Sequence, residues 1–174
     1  MLFHYAPGRG GEHAERFLQG FGGQFLQVDA YEGYDRPTRM ERPQGPWMLV
    51  HCWRHLRRRF VNLARNTKSR SEAAVRQIAT LYVVEATVTL QARLAARQQY
   101  STPIIAALKP WFEKQLSMIS SGSKLAEDIR YGLAHWQGLT RFLGDGQLEL
   151  NTNPVKNAIR PVCLTRKKCP VCWP

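Results

Sequence analysis

Asn151 to Lys168 reads Asn-Thr-Asn-Pro-Val-Lys-Asn-Ala-Ile-Arg-Pro-Val-Cys-Leu-Thr-Arg-Lys-Lys, and its order is that of a helix start. Asn151, Thr152 and Asn153 carry side chains that accept from the orphan N–H groups of a first turn. Pro154 suits the first helical position, and Val155 to Arg160 supplies the turns that follow. The helix predicted there carries cations, Lys156 and Arg160, near its start. What it closes is set by the segments before it.

Those segments alternate strand and helix at first and then turn helical. Leu2 to Ala6 reads as a short strand. Gly10-Gly11 opens an amphipathic helix over Glu12 to Phe21, with Ala14, Phe17, Leu18 and Phe21 on one face, and Gly22-Gly23 ends it. Gln24 to Val28 is a compact apolar strand, and Asp29 stands at its C-terminal end, where open α/β sheets gather ligands. Glu32 to Pro46 holds Gly33, Pro37, Pro43, Gly45 and Pro46 and is expected as loop with at most a helical turn. Trp47 to Trp53 is the next strand, and Leu56 to Arg65 a helix. Between Arg54 and Arg76 the sequence carries eight cations against the single acid Glu72, its densest positive stretch.

From Glu72 to Leu143 the periodicity is helical throughout. Val75, Ile78 and Tyr82 mark one face, and a second segment runs from Leu90 to Gln99. Thr102 is expected to cap a third, which starts at Pro103, carries Ile104, Ile105, Leu108, Trp111, Phe112, Leu116 and Ile119, and is kinked at Pro110. Ser121-Gly122-Ser123 breaks to a fourth, where Leu125, Ile129, Leu133, Trp136, Leu139 and Leu143 keep helical spacing, and Gly144-Asp145-Gly146 closes the block.

Three short motifs lie in this frame: Gln27-Val28-Asp29-Ala30-Tyr31-Glu32-Gly33-Tyr34, Cys52-Trp53-Arg54-His55-Leu56-Arg57-Arg58-Arg59-Phe60, and the stretch from Asn151. Together they resemble the transposases of the insertion sequence 66 family, bacterial DDE enzymes with a ribonuclease-H-like core, over nearly the whole chain, from about Phe3 to Arg166. The resemblance implies an α/β fold: a partial ribonuclease-H-like core, missing its first strands, interrupted by a mainly α-helical insertion. Residues 1–66 would be core, 67–146 the insertion, and 147–174 the return to the core. In relatives the Leu2 to Ala6 segment is the third strand, and the two before it, one bearing the first catalytic Asp, have no counterpart here. Their loss would expose one edge and one apolar face of the sheet, an association hazard.

DDE enzymes use three carboxylates to hold two divalent metals roughly 4 Å apart, one activating the attacking oxygen and the other steadying the leaving one. Mg²⁺ is the cofactor the resemblance implies, because a hard cation prefers carboxylate oxygen. Asp29 matches the second carboxylate; taken alone, an Asp after a strand is more often a loop or cap residue, and the surrounding pattern gives it the catalytic reading and the metal-ligand role. The last family motif runs Asn-Asn-x-Val-Glu-x-Ala-Ile-Arg-Pro-x-x-Leu-Gly-Arg-Lys-Asn, and its Glu is the third. Here that position is Lys156, an ammonium in place of a ligand. Glu149 lies too far back to substitute simply, and a single Asp cannot hold two metals. The chain is therefore expected to be a truncated, catalytically inactive copy that binds no Mg²⁺ productively.

Cys52-Trp53-Arg54-His55-Leu56-Arg57-Arg58 matches the family's Cys-Trp-x-His-x-Arg-Arg motif. His55, Arg57 and Arg58 are expected to contact the DNA backbone, against the plainer reading of a solvated basic helix, while Trp53 and Phe60 are expected in the core. Arg160, Arg166 and Lys167 match cationic positions of the last motif and would meet phosphate too. A formal net charge of +12, from 25 Lys and Arg against 13 Asp and Glu, predicts attraction to polyanions that weakens with salt. The resemblance makes DNA at transposon ends that polyanion, and leaves homo-oligomerisation open.

Two rival readings follow from the same residues. One is a non-catalytic, basic DNA-binding or helical interaction module built on Arg54 to Arg76 and the Glu72 to Leu143 helices. The other is a small zinc protein, since Cys52-x2-His55 with Cys169-x2-Cys172 supplies ligands of suitable type and pair spacing. Against zinc, relatives continue after Arg-Lys-Asn with Leu-Phe-Ala-Gly. The codons of Pro170 to Pro174, shifted by one base, permit that sequence, so a frameshift just after Cys169 would explain the ending. The four cysteines, Cys52, Cys163, Cys169 and Cys172, do not form a secreted disulfide framework. No apolar run approaches a membrane span and no signal sequence opens the chain, so the cytoplasm is the expected compartment.

Overall fold

The structure, a computed structural model, describes residues 5–8, 10–29, 32–65, 70–86, 88–152 and 157–161. Among them, the elements run α1 (Gly11–Leu18), β1 (Phe25–Val28), two 3-10 turns (Glu32–Asp35 and Pro37–Arg39), β2 (Met48–His51), α2 (Trp53–Ala64), α3 (Arg70–Ala86), α4 (Arg93–Ala96), a π turn (Arg97–Ser101), α5 (Thr102–Ser117), α6 (Lys124–Ala134), α7 (Trp136–Thr140) and a 3-10 turn (Arg141–Gly144). Residues 157–161 are again helical. The fold is thus mixed α/β, with helices predominating around a small sheet.

β1 and β2 pair in parallel, Phe25 with Met48 through Val28 with His51. Parallel neighbours require a crossover, and the Pro- and Gly-rich stretch between them makes it with the two 3-10 turns instead of a helix. α1 packs on those turns. Its Gly11 lies so close that a Cβ there would stand 2.6 Å from the Gly33 carbonyl oxygen. Arg36 holds the same contact from outside through Glu15 at 3.0 Å and Glu12 at 3.5 Å. On the other side Trp47, buried, lies under the Arg42 guanidinium at 3.6 Å and stacks on Phe21 at 5.7 Å. Arg42 also donates to the carbonyls of Phe21, Gly23 and Gly45.

Several element boundaries differ from those expected. Helix α1 stops at Leu18, and of its four apolar face residues only Leu18 is buried; Phe21 lies beyond the helix, where it serves Trp47 instead. The strand expected to reach Trp53 ends at His51, because Trp53 opens α2. The strand expected at Leu2 to Ala6 falls largely outside the described residues, and Tyr5 and Ala6 are irregular.

The third helix does not begin at a Thr102 cap. The backbone stays helical from Arg93 through Ser117 by way of the π turn. Pro103 lacks an N–H, which leaves an upstream carbonyl to be served otherwise. Thr102 Oγ1 donates to the Arg97 carbonyl at 3.2 Å, a bond within the helix instead of a cap. α5 also runs on through Pro110, where the carbonyl four residues back belongs to exposed Ala106 and can meet water.

One core joins α2 to the later helices: Trp53, Leu56 and Phe60 pack with Ala74, Ile78 and Leu81 of α3, Ile105, Leu108 and Phe112 of α5, Ile129 of α6, and Leu139, Phe142 and Leu150. Each large member contributes on the order of 1.5–3 kcal/mol by leaving water. Trp53 and Phe60 are both fully buried, as the sequence led us to expect. Gly132 lets α6 approach α2 closely, since a Cβ there would meet the Leu56 side chain at 3.1 Å.

A buried ionic knot ties the C-terminal end of α3 to the turn that closes the helical block. Arg97, wholly inaccessible, gives two bonds of 2.7 Å to the Glu85 carboxylate and donates to the carbonyls of Phe142 at 2.9 Å, Asp145 at 2.6 Å and Leu148 at 2.8 Å. Arg93 bridges Glu85 to Glu149. Buried guanidinium is tolerated only when its donors are met, and here the partners come from the C-terminal end of α3 and from residues 142–148.

Candidate functional site

The parallel register sends the C-terminal ends of both strands to the same edge of the sheet. Asp29 follows β1 there, and Cys52, followed by the N-terminus of α2, follows β2. The chain returns to this edge after the helical block. Gln27 Nε2 donates to the Glu149 carbonyl at 2.5 Å, the Trp53 amide to the Leu150 carbonyl at 3.1 Å, and the Thr152 amide and hydroxyl approach Cys52 Sγ at 3.4 and 3.6 Å. Residues 149–152, which lead into the capped stretch, are therefore seated against both strand ends.

Asp29 is half-buried, and its Oδ1 is inaccessible with no hydrogen-bond partner among the described residues. A carboxylate oxygen so placed costs stability unless something binds it. Tyr131 of α6 feels Asp29 electrostatically. Burial pushes its hydroxyl up most strongly, and Asp29 and Cys52 push the same way against Arg59 and Arg58.

The arginines of α2 divide between two faces. Arg59 turns to α6, donating to Asp128 at 2.7 Å and Glu127 at 2.8 Å while its guanidinium lies 4.5 Å from the Tyr131 ring centroid. Asp128 is 1% exposed, so Arg59 neutralises a buried charge. Arg58 is exposed and, like Asp29, is felt electrostatically by Tyr131. Arg57 instead acts on Tyr82 of α3 together with Arg54; burial raises the Tyr82 hydroxyl and these two cations oppose it. It also lines a groove between α2 and α3. His55 is half-buried. Of the expected backbone contacts, then, Arg58 shares a neighbour with Asp29, whereas Arg57 faces another way.

At the end of β2, His51 and His135 meet edge to face with ring centroids 4.6 Å apart. Burial drives His51 down to about 4, helped by His135 and Arg141 and opposed by a hydrogen bond to the His135 backbone and by Asp35. Arg141, itself lowered by burial, donates to the Leu49 carbonyl and so pins α7's end onto the strand. Neither the histidine pair nor Tyr131 belongs to any short motif. Only contact across a separation of many residues brings them together, which sequence periodicity does not report.

Arg160 lies exposed in the helical residues 157–161, and Lys156, Arg166 and Lys167 fall outside the described residues. So do Cys163, Cys169 and Cys172, while Cys52 is buried as a free thiol. Among the described residues no three of His, Cys, Asp and Glu gather as a metal ion would need, and no helix is long and apolar enough to cross a membrane.

Comparison with known proteins adds a family. Residues 1–173 match the family described as Transposase IS66 family. The uncharacterized protein y4qI of Sinorhizobium fredii is 38% identical over 176 aligned residues, covering 96% of this chain and 32% of the relative. From the same organism, the uncharacterized protein y4jD is 37% identical, covering 94% of this chain and 33% of its own length. A third, y4hP, is 31% identical over 95% of this chain and 33% of its own. The chain thus spans about a third of the length of the curated relatives it matches. No solved structure matches it.

Proposed function

The chain belongs to the transposase IS66 family, and from that membership we infer that it forms part of the catalytic region of a DDE transposase acting on transposon-end DNA in the cytoplasm. In this reading β1 and β2 are strands of a ribonuclease-H-like core and Asp29 is the second catalytic carboxylate. The observation that carries it is the buried Oδ1 of Asp29, without a hydrogen-bond partner among the described residues, at the C-terminal end of a parallel strand, where α/β sheets place ligands. Arg58, on the same side of α2 as Tyr131, is the phosphate contact nearest in character, with His55 and Arg160 beside it in role.

Two Mg²⁺ ions on this edge would need three carboxylates. The described residues gather no such set, and Lys156 carries an ammonium at the family's Glu position. These residues do not fit a two-metal centre, so no metal-dependent step is assigned to them. The chain is read as binding DNA without cutting it, which also favours the rival account of a basic DNA-binding module over the zinc protein.

Nicking and strand-transfer assays on transposon-end DNA with Mg²⁺ or Mn²⁺, beside a salt titration of DNA affinity, test this. Salt-sensitive binding without cleavage is the expected result. Cleavage by the native chain that Asp29→Ala abolishes would mean that another acid completes the site. Absence of DNA binding at low salt would remove the nucleic-acid reading altogether.

A further inference from the structure

The groove between α2 and α3 is separate from the Asp29 edge and makes no use of it. Its volume is about 450 Å³, and it is lined by Arg57, Val61, Ala64 and Arg65 of α2 and its C-terminal end with Glu72, Val75 and Arg76 of α3. The floor is aliphatic: Val61, Ala64 and Val75 are each half-buried. The rim is cationic. Arg76 reaches Glu72 at 3.9 Å, and Arg57 and Arg65 form no ion pair among the described residues.

That pairing of surfaces selects among ligands. Single-stranded nucleic acid is bound without sequence preference by stacking bases on aromatic side chains in a cationic groove, and among the described residues no aromatic side chain lines this groove. Duplex DNA offers phosphates to cations but little aliphatic surface to a floor of valine and alanine. A second copy of the chain would bring another +12 of net charge, and its acids Glu15, Glu85, Glu127 and Asp128 already serve arginines. An amphipathic helix with aliphatic side chains on one face and carboxylates flanking them meets both floor and rim.

We propose that the α2–α3 groove is a docking site for an acidic amphipathic helix of a partner protein, with its aliphatic side chains on Val61, Ala64 and Val75 and its carboxylates on Arg57, Arg65 and Arg76. Partner recognition is then spatially divided from the α6 side of α2: Arg59 contacts α6, whereas Arg57 and Arg65 line the groove beside α3.

The test measures binding of a synthetic amphipathic peptide, leucines on one face and glutamates on the other, by fluorescence anisotropy to the full chain. A scrambled peptide of the same composition and a duplex DNA oligonucleotide serve as competitors. Charge reversal at two exposed rim positions, Arg65→Glu with Arg76→Glu, is expected to weaken the amphipathic peptide by about tenfold or more while circular dichroism shows the helices intact. Val61→Ser, a second variant, removes floor without charge and should weaken it too. The scrambled peptide should bind less well, and DNA should leave the groove-bound peptide in place. Equal binding of scrambled and amphipathic peptides, peptide binding unmoved by either variant, or no peptide binding overturns the proposal. Displacement of the peptide by DNA, with DNA affinity falling in the rim variant, reassigns the groove to phosphate.

Discussion

Gly138 of α7 lies so close to His51 of β2 that a Cβ on the glycine would fall 2.2 Å from the imidazole Nδ1. No rotamer change of a partly buried ring between a strand and a helix relieves such an overlap easily, so α7 itself must shift. Gly138→Ala is expected to destabilise the chain by about 1–3 kcal/mol, the usual cost of overpacking. Urea unfolding measures it, and a midpoint equal to the parent's would show that α7 yields without strain.

The same imidazole gives the fold an acid sensitivity. The folded value of His51 is lowered to about 4 from 6.5 by burial first and by the neighbouring His135 and Arg141, with Asp35 and the His135 backbone opposing. Below 6.5 the unfolded chain takes up a proton that the fold refuses. Stability from this group is therefore complete above pH 6.5 and is lost as pH falls toward 4. Because His51 is partly exposed, screening limits the effect to at most about 2 kcal/mol. Comparing unfolding free energies at pH 7 and 4.5 checks this; His51→Gln should show a smaller difference, and an equal one would assign the sensitivity elsewhere.

Arg59 and Arg58 adjoin in sequence but should behave oppositely. Arg59→Ala leaves Asp128, which is 1% exposed, with the more distant Lys124 at 3.9 Å, and should cost about 2–4 kcal/mol; adding Asp128→Asn should recover part of that. Arg58→Ala removes an exposed cation, should change stability by less than about 0.5 kcal/mol, and should lower the slope of log affinity against log salt for DNA by about 1. Thermal denaturation and a salt titration together separate the two. A stability loss at Arg58 equal to that at Arg59 would contradict the division of faces.

Asp29 holds a buried oxygen with no hydrogen-bond partner among the described residues, an arrangement that costs the fold stability. Asp29→Asn should accordingly leave stability unchanged or raise it by about 1 kcal/mol. Calorimetry decides, and a clear loss would show that the carboxylate is structurally engaged.

Trp53, Phe60 and the helical block were legible because their apolar spacing has a local period, and the place of Asp29 at the end of β1 because a compact apolar run precedes it directly. The partners of Arg59 and Arg97 were not. Arg59 meets Asp128 across 69 residues and Arg97 meets the Phe142 carbonyl across 45, and in sequence each is one more arginine in a basic chain. Thr102-Pro103 misled for a related reason. The pair is a good helix opening by local chemistry, yet the π turn and the buried Arg97 knot carry the backbone through it.

The amide of Trp53 donates to the carbonyl of Leu150, and Gln27 holds the adjoining Glu149 carbonyl, so the long excursion through the helices leaves and rejoins the sheet at one place. Geometrically it is a closed loop with its neck at the strand ends. The entropic cost of enlarging a closed loop grows only slowly with length. Helices could therefore be lengthened, shortened or exchanged above that neck while Asp29 and residues 149–152 keep their separation, provided Arg97 or an equivalent still cinches the base. Such an arrangement lets evolution alter what the outer helices touch without disturbing the spacing at the edge beneath.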